Sequence, residues 1–268
     1  MSRSAAESWP RPNVTPDRRR RDRKGGHSAE TLAIHDRMLA STAARSRYID
    51  VASGRVHVIE AGEGPPVRFL HGSSTSSLSM LPLITLLEGV RAVAVDRPGF
   101  GLSDPARVTR RRLRAMAVEF VDRILDALGL QAAVLAGNSM GGTWTLWYAF
   151  EHPDRVRRLI LLGASPFLPR TARQRPCGML ATPVLGVALS RLKTSEKTIM
   201  RFMSAMGEKD TIVRYPDLLE ALAAAANLAD LRAAITPLGF RRLLRLRPDE
   251  LRRRLRYPAN PIVHARPV

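Results

Sequence analysis

The sequence predicts an α/β protein with a mostly parallel sheet covered by helices on both faces. Short apolar runs recur between segments whose apolar residues follow helical spacing, which is the pattern of buried parallel strands joined by crossover helices. A serine between small residues, Gly137-Asn138-Ser139-Met140-Gly141, stands where one such strand passes into a helix. A strand, a sharp turn and a helix in this order indicate a serine exposed above the edge of a sheet.

The predicted elements follow in a regular order. Apolar residues at helical spacing predict a helix over 31–44, and alternation on both sides of Gly54 predicts a hairpin. Glycines and prolines at 62–66 mark a loop. The hairpin strands are 48–51 and 56–59, and after the loop come a strand at 67–70, a helix at 78–87, a strand at 90–95, a helix at 113–128 closed by Gly129, a strand at 132–136, a helix to about 150 and a strand at 159–162.

Composition divides the chain into four parts. Residues 1–28 are rich in Pro, Arg and Ser and predict a disordered basic tail. Residues 46–165 hold the alternating strands and helices of the core. The alternation then stops, and prolines followed by Ala-, Leu- and Met-rich segments predict a helical cap over 166–240. Residues 241–268 predict a truncated return to the core, in which the final strands and helices are missing.

The bulk composition limits the function classes. A length of 268 residues fits one domain with a small insertion. The formal charge is +19, but 39 Arg against 4 Lys are spread along the chain without a binding motif, so no specific nucleic-acid partner is expected. The single cysteine, Cys177, allows no internal disulfide. Because no apolar segment is long enough to span a membrane and no signal peptide is evident, we expect a cytoplasmic protein.

Four motifs in this order and spacing resemble those of a known enzyme family. They are His71-Gly72 after a strand, the run 96–104 (Asp-Arg-Pro-Gly-Phe-Gly-Leu-Ser-Asp), the serine motif extended by Gly142, and the run 151–156 (Glu-His-Pro-Asp-Arg-Val). Together they are similar to the α/β-hydrolase family, in the serine hydrolase branch with a helical cap. Serine at this position differs from the related dehalogenase and epoxide hydrolase branches, which use Asp. The preceding Asn138 resembles meta-cleavage-product hydrolases and related esterases.

The resemblance implies roles for individual residues. Ser139 would be the nucleophile of an acyl-transfer reaction, and the backbone N–H groups of Ser73 and Met140 would form the oxyanion hole. His71 and Gly72 would shape the oxyanion loop, while Gly137 and Gly141 would make room for the nucleophile turn. The implied substrate is a small-molecule ester or a related carbonyl compound, with no metal and no organic cofactor.

The same resemblance exposes a gap in the sequence. The family supplies an Asp and then a His after the nucleophile, on loops following two later strands. The sequence predicts neither that Asp nor the strand before it, and His264 is the only histidine after His152, so it is the sole candidate base on that side. We therefore expect impaired catalysis. The alternatives are a non-catalytic binding protein with a hydrolase fold and a truncated gene product. The sequence does not specify an oligomeric state.

Overall fold

A computed structural model describes residues 29–73, 75–105, 112–163, 194–227 and 262–265. The predicted tail at 1–28, part of the predicted cap and most of the predicted C-terminal return lie outside these residues. The strands are β1 (Arg45–Val51), β2 (Gly54–Ala61), β3 (Pro66–Leu70), β4 (Arg91–Val95), β5 (Ala133–Asn138), β6 (Val156–Leu162) and β7 (Ile262–Ala265). The α-helices are α1 (Ala29–Ala40), α2 (Leu81–Ile84), α3 (Leu113–Ala127), α4 (Met140–Glu151), α5 (Glu196–Met206), α6 (Lys209–Arg214) and α7 (Pro216–Ala226), and 3₁₀ turns cover Ser77–Met80 and Pro153–Arg155.

The strands form one mixed sheet in the order β1-β2-β4-β3-β5-β6-β7. β1 and β2 are an antiparallel hairpin, and β2 also pairs antiparallel with β4. All pairs from β4 to β7 are parallel. The predicted α/β class, hairpin and core strands are confirmed. Because the carboxyl ends of β3, β4, β5 and β6 meet at one edge, the loops after them are brought together there.

One strand contradicts the sequence prediction. Residues 262–265 form β7, which pairs with β6 in parallel where the sequence predicts no strand. This run of four residues is too short to show a strand pattern in the sequence. It forms a strand because it pairs with β6 at the edge of the sheet. The predicted helix at 78–87 is also shorter, because it begins as a 3₁₀ turn and α2 ends at Ile84. By contrast, Gly129 adopts a φ of 67° just past α3, as its predicted place at the helix end requires.

Each face of the sheet is covered by its own helices. On one face α3 and α4 enclose a buried cluster that includes Phe120, Trp144 and Leu146. On the other face, α1, α2, α6 and α7 enclose a second cluster that includes Ile34, Phe69 and Ile84. The helices α5, α6 and α7 lie within the range predicted as a cap. No helix among the described residues is long and apolar enough to cross a membrane.

One charged side chain interrupts the apolar layer under α3. Arg68, on β3, is only 2% exposed, and its Nε and Nη1 atoms have no hydrogen-bond partner among the described residues. It lines a cavity of about 10 Å³ whose other lining side chains are apolar, among them Phe120 and Leu135. Burial, and then the nearby charge of Arg91, lower the pKa of Arg68 to about 10. The guanidinium is therefore charged at neutral pH in a site that offers it few acceptors.

Candidate active site

Ser139 occupies the turn between β5 and α4 in a strained conformation. Its φ is 50° and its ψ is −114°, and it is the only non-glycine residue with a positive φ among those that the structure describes. A serine is rarely held in this way unless the surrounding structure requires it, and such strain concentrates at functional sites. The turn is fixed to the neighbouring strand, since Ser139 N–H and Asn138 Nδ2 both donate to the Leu162 carbonyl, at 3.0 and 3.1 Å. The geometry is that of a nucleophile elbow.

The flanking glycines are required by close backbone approach. A Cβ at Gly137 would lie 2.5 Å from the Cα of Gly142, on the other side of the turn. A Cβ at Gly141 would lie only 2.1 Å from the Leu70 carbonyl oxygen at the end of β3. Neither distance leaves room for a side chain, so the glycines allow β5, α4 and β3 to meet around Ser139.

The loop after β3 lies directly against the elbow. A Cβ at Gly72 would be 2.8 Å from Asn138 Oδ1 and 3.4 Å from Ser139 Cβ. The next residue, Ser73, is half-buried, and Met140, the first residue of α4, is buried. The N–H groups in the first turn of a helix have no partner within the helix. Gly72, which precedes the predicted donor Ser73, and Met140 thus adjoin the predicted nucleophile, and Met140 lies at the positive end of α4.

His71 is held in one tautomer by its neighbours. Its Nε2 accepts a hydrogen bond from Arg97 N–H at 3.1 Å, so Nδ1 carries the proton and donates to the Gly72 carbonyl at 2.8 Å. The imidazole is fully buried, and burial, followed by the charge of Arg97, lowers its pKa to about 3. Because both nitrogens are engaged and the pKa is low, His71 is suited to shaping the loop and not to accepting a proton from Ser139.

Two further histidines among the described residues, His152 and His264, are placed by the backbone of α4 and β7. His152 follows α4, and a helix of that length places it about 18 Å from its start at Met140. His264 lies within β7, where its Cα pairs with Leu161, which in turn pairs with Gly137. At this register it is two strands from β5, about 10 Å across the sheet. Its assignment as a base stays a prediction.

A buried polar cluster lies behind the site, and the sequence does not predict it. His57 Nδ1 donates to Asp96 Oδ2 at 2.7 Å, and His57 Nε2 lies 2.7 Å from Ser46 Oγ and 3.2 Å from His35 Nε2. Asp96 also accepts the backbone N–H groups of Ser77 and Leu102, at 2.6 and 2.9 Å. The motif Asp-Arg-Pro-Gly at 96–99 predicts only a braced turn. The cluster shows that this turn is also tied to β1, β2 and α1.

The electrostatics of this cluster favour a charged Asp96 carboxylate and a neutral His35 imidazole. Burial alone raises the pKa of Asp96, but the hydrogen bond from His57 and the nearby imidazoles outweigh burial and hold that pKa well below its usual range. Burial, and then His57, lower the pKa of His35 to about 4. A cavity of about 20 Å³ lies beside His35 and Asp96, and neither Ser139 nor Gly72 lines it. Among the described residues, no group of three or more His, Cys, Asp or Glu side chains is arranged to hold a metal ion.

Comparison with known proteins agrees with this geometry. The family model described as "alpha/beta hydrolase fold" matches residues 65–202, about half of the chain, which therefore belongs to this family. The chain is 37% identical over 134 residues to a 2-hydroxy-6-oxo-6-phenylhexa-2,4-dienoate hydrolase of Comamonas testosteroni, over 45% of each sequence. It is 38% identical over 122 residues to a 2-hydroxymuconate semialdehyde hydrolase of Pseudomonas putida, over 44% of this chain and 43% of that protein.

These matches span less than half the length of the curated relatives. Among solved structures, a 2-hydroxy-6-oxo-6-phenylhexa-2,4-dienoate hydrolase from a Rhodococcus species superposes with a TM-score of 0.61 at 22% identity, covering 83% of this chain and 81% of that one. At this identity the superposition supports the fold alone. The predicted family and fold are confirmed.

Proposed function

We propose that this chain is a serine hydrolase in which Ser139 attacks the carbonyl carbon of a small substrate. The observation that carries the proposal is the strained elbow at Ser139, with Gly72 packed against the Cβ of the serine. In the proposed reaction, Ser139 Oγ forms a bond to the carbonyl carbon while the C=O π bond breaks and its electron pair moves to the oxygen. The Ser139 proton passes to the sequence-predicted base His264 or to water, and the N–H groups of Ser73 and Met140 stabilise the oxyanion. Each such donor contributes about 3 kcal/mol to lowering the barrier.

The substrate class that the elbow supports is broad. An ester would give an acyl group on Ser139 and release an alcohol. The matched relatives are named for 2-hydroxy-6-oxo-dienoates and a related semialdehyde, which contain no ester. Hydrolysis of such a ketone must break a carbon–carbon bond beside its carbonyl group. This second candidate is favoured by the identity of 37% over 134 residues, and it uses the same oxyanion hole.

A pre-steady-state assay tests the first step separately from turnover. Acyl transfer from p-nitrophenyl acetate to Ser139 releases p-nitrophenolate once per chain, whereas further turnover also needs a base to activate water. Because the sequence supplies no evident base for Ser139, we expect a slow burst that approaches one equivalent per chain and that Ser139→Ala abolishes. Ser41→Ala is the matched control, because that hydroxyl donates to the Met38 carbonyl at the end of α1 and lies outside the proposed site. A burst that survives in Ser139→Ala would contradict the proposal.

The same variants separate the two substrate classes and the alternatives. Consumption of a 2-hydroxy-6-oxo-dienoate, followed by the loss of its absorbance, would favour carbon–carbon hydrolysis if it is faster than ester cleavage. Replacement of the sequence-predicted base, His264→Ala, should slow turnover but leave the burst if that residue acts in deacylation. Substrate binding with neither burst nor turnover would support the non-catalytic binding protein.

A further inference from the structure

The carbonyl oxygen of Gly72 accepts three hydrogen bonds. It accepts from Arg97 Nη2 at 2.7 Å, from His71 Nδ1 at 2.8 Å and from Thr75 Oγ1 at 3.0 Å. A backbone carbonyl has two lone pairs, so three donors saturate it. One of the three is a guanidinium, and hydrogen bonds from charged donors are about twice as strong as neutral ones.

The buried side chain of Arg97 donates its hydrogen bond to this carbonyl. The residue is 2% exposed, and its guanidinium carbon lies 4.2 Å from the ring centre of Phe100 and 5.0 Å from that of Trp144. Among the described residues, its only side-chain hydrogen bond goes to Gly72, and its Nε has no partner there. Burial lowers the pKa of Arg97 to about 9, so the group is still charged at neutral pH. The nearby charge of Asp96 partly offsets this burial, but the guanidinium is still buried with a single hydrogen-bond acceptor, which is costly.

We propose that Arg97 is a positioning residue of the oxyanion hole, which acts on the Ser73 N–H through the carbonyl of Gly72. The inference rests on the proposed function, since it concerns one of the two donors assigned to the oxyanion hole. Arg97 does not touch the substrate in this arrangement.

The physical link is the peptide unit that the two groups share. The Gly72 carbonyl and the Ser73 N–H belong to one planar amide, so fixing the oxygen fixes the direction of the N–H bond. Hydrogen bonds to the oxygen draw electron density away from the nitrogen, which strengthens the N–H as a donor, and such polarisation is cooperative along a chain of hydrogen bonds. A donor that is aligned before the reaction needs no reorganisation when the oxyanion forms.

Arg97 also controls the second donor on the same oxygen. Its backbone N–H binds His71 Nε2 and so sets the tautomer in which Nδ1 donates to Gly72. Side chain and backbone of one residue therefore supply, directly or through His71, two of the three hydrogen bonds on this peptide. Thr75 supplies the third from the same loop.

The test uses the full chain, labelled with ¹⁵N, and reads the amide resonance of Ser73. Arg97→Met removes the charge and the donor, Arg97→Lys keeps a charge, and Arg114→Met is the matched control on α3, where the arginine pairs with Glu151. We expect the Ser73 amide proton to move upfield in Arg97→Met, to move less in Arg97→Lys and to stay in place in Arg114→Met. The acylation rate should fall about tenfold in Arg97→Met with KM unchanged, because a transition-state interaction is weakened.

The outcomes separate this inference from the proposed function. An unchanged Ser73 resonance in a folded Arg97→Met protein would overturn the inference, and so would a raised KM with an unchanged acylation rate. The Ser73 resonance does not depend on the reactivity of Ser139. Failure of the burst assay would therefore contradict the proposed function, and the Ser73 amide resonance would still test the role of Arg97. If Arg97→Met does not fold, Thr75→Val removes one of the other donors, and an unmoved Ser73 amide in that variant would equally contradict the inference.

Discussion

Acid should destabilise this protein through two buried histidines, and the size of the effect follows from their pKa values. The pKa of His35 is lowered from 6.5 to about 4 and that of His71 from 6.5 to about 3. Between these values and 6.5 the unfolded chain binds protons that the folded chain does not, so the free energy of unfolding falls as pH falls. The stability is fully present above pH 6.5 and is lost progressively below it. The lowered pKa of Asp96 acts only at more acidic pH, below its ordinary value of 3.8.

The magnitude is large compared with the total stability of a domain. One pKa unit corresponds to about 1.4 kcal/mol, and pH 5 lies about 1.5 units below the unfolded pKa, so each histidine contributes a loss of about 2 kcal/mol between pH 7.5 and 5. Together they remove about 4 kcal/mol, out of a typical 5–15 kcal/mol. Both side chains are almost completely buried, so solvent screening reduces this little.

Urea unfolding at a series of pH values measures this loss directly. His35→Gln removes one of the two groups, so it should halve the slope of unfolding free energy against pH, whatever its effect at pH 7.5. Thr42→Ala is the control, since it removes a hydroxyl near the end of α1 and no titrating group. A wild-type stability that is flat from pH 7.5 to 5, or a slope that His35→Gln leaves intact, would refute the reasoning.

Two further substitutions test the packing. Arg68→Met should raise the free energy of unfolding by about 1–3 kcal/mol, because an apolar side chain replaces a buried guanidinium with unpaired donors. Urea unfolding midpoints measure this change. A loss of stability would contradict the prediction and show that Arg68 has favourable partners. Gly141→Ala should destabilise by about 3 kcal/mol or more, because its Cβ would lie 2.1 Å from the Leu70 carbonyl oxygen. Gly89→Ala is its control, since that φ of 67° is strained but no atom lies within 4 Å of the added Cβ, so only about 1 kcal/mol is expected. Equal losses in the two glycine variants would contradict the steric explanation.

The parts of the fold that the sequence predicts are those fixed by local pattern. The core strands stand out because each is a short apolar run between turn residues, and the elbow stands out because only small residues fit beside Ser139. The oxyanion loop is predicted because His71-Gly72 directly follows the predicted strand at 67–70. These features are readable since the residues that define each of them lie within a few positions of one another.

The rest depends on contacts between distant residues. His57 and Asp96 are 39 positions apart, and Arg97 and the Gly72 carbonyl are 25 apart, so no local pattern joins them. The strand β7 has no signature of its own and exists by pairing with β6. The hydrogen bond from the Arg97 guanidinium to the Gly72 carbonyl has one local signal in the sequence. It is the motif at 96–99, in which a charged residue precedes a turn.

The identity of the nucleophile is tested most directly by mapping the adduct of a fluorophosphonate probe on the full chain. We expect a single adduct on the peptide that contains Ser139, absent in Ser139→Ala and retained in Ser41→Ala. Because the sequence supplies no evident Asp–His pair, labelling should be slow, driven by the oxyanion hole and binding, which alone accelerate such reactions about 10³-fold over water. An adduct on another serine, or equal labelling of Ser139→Ala, would contradict the assignment of Ser139 as the nucleophile.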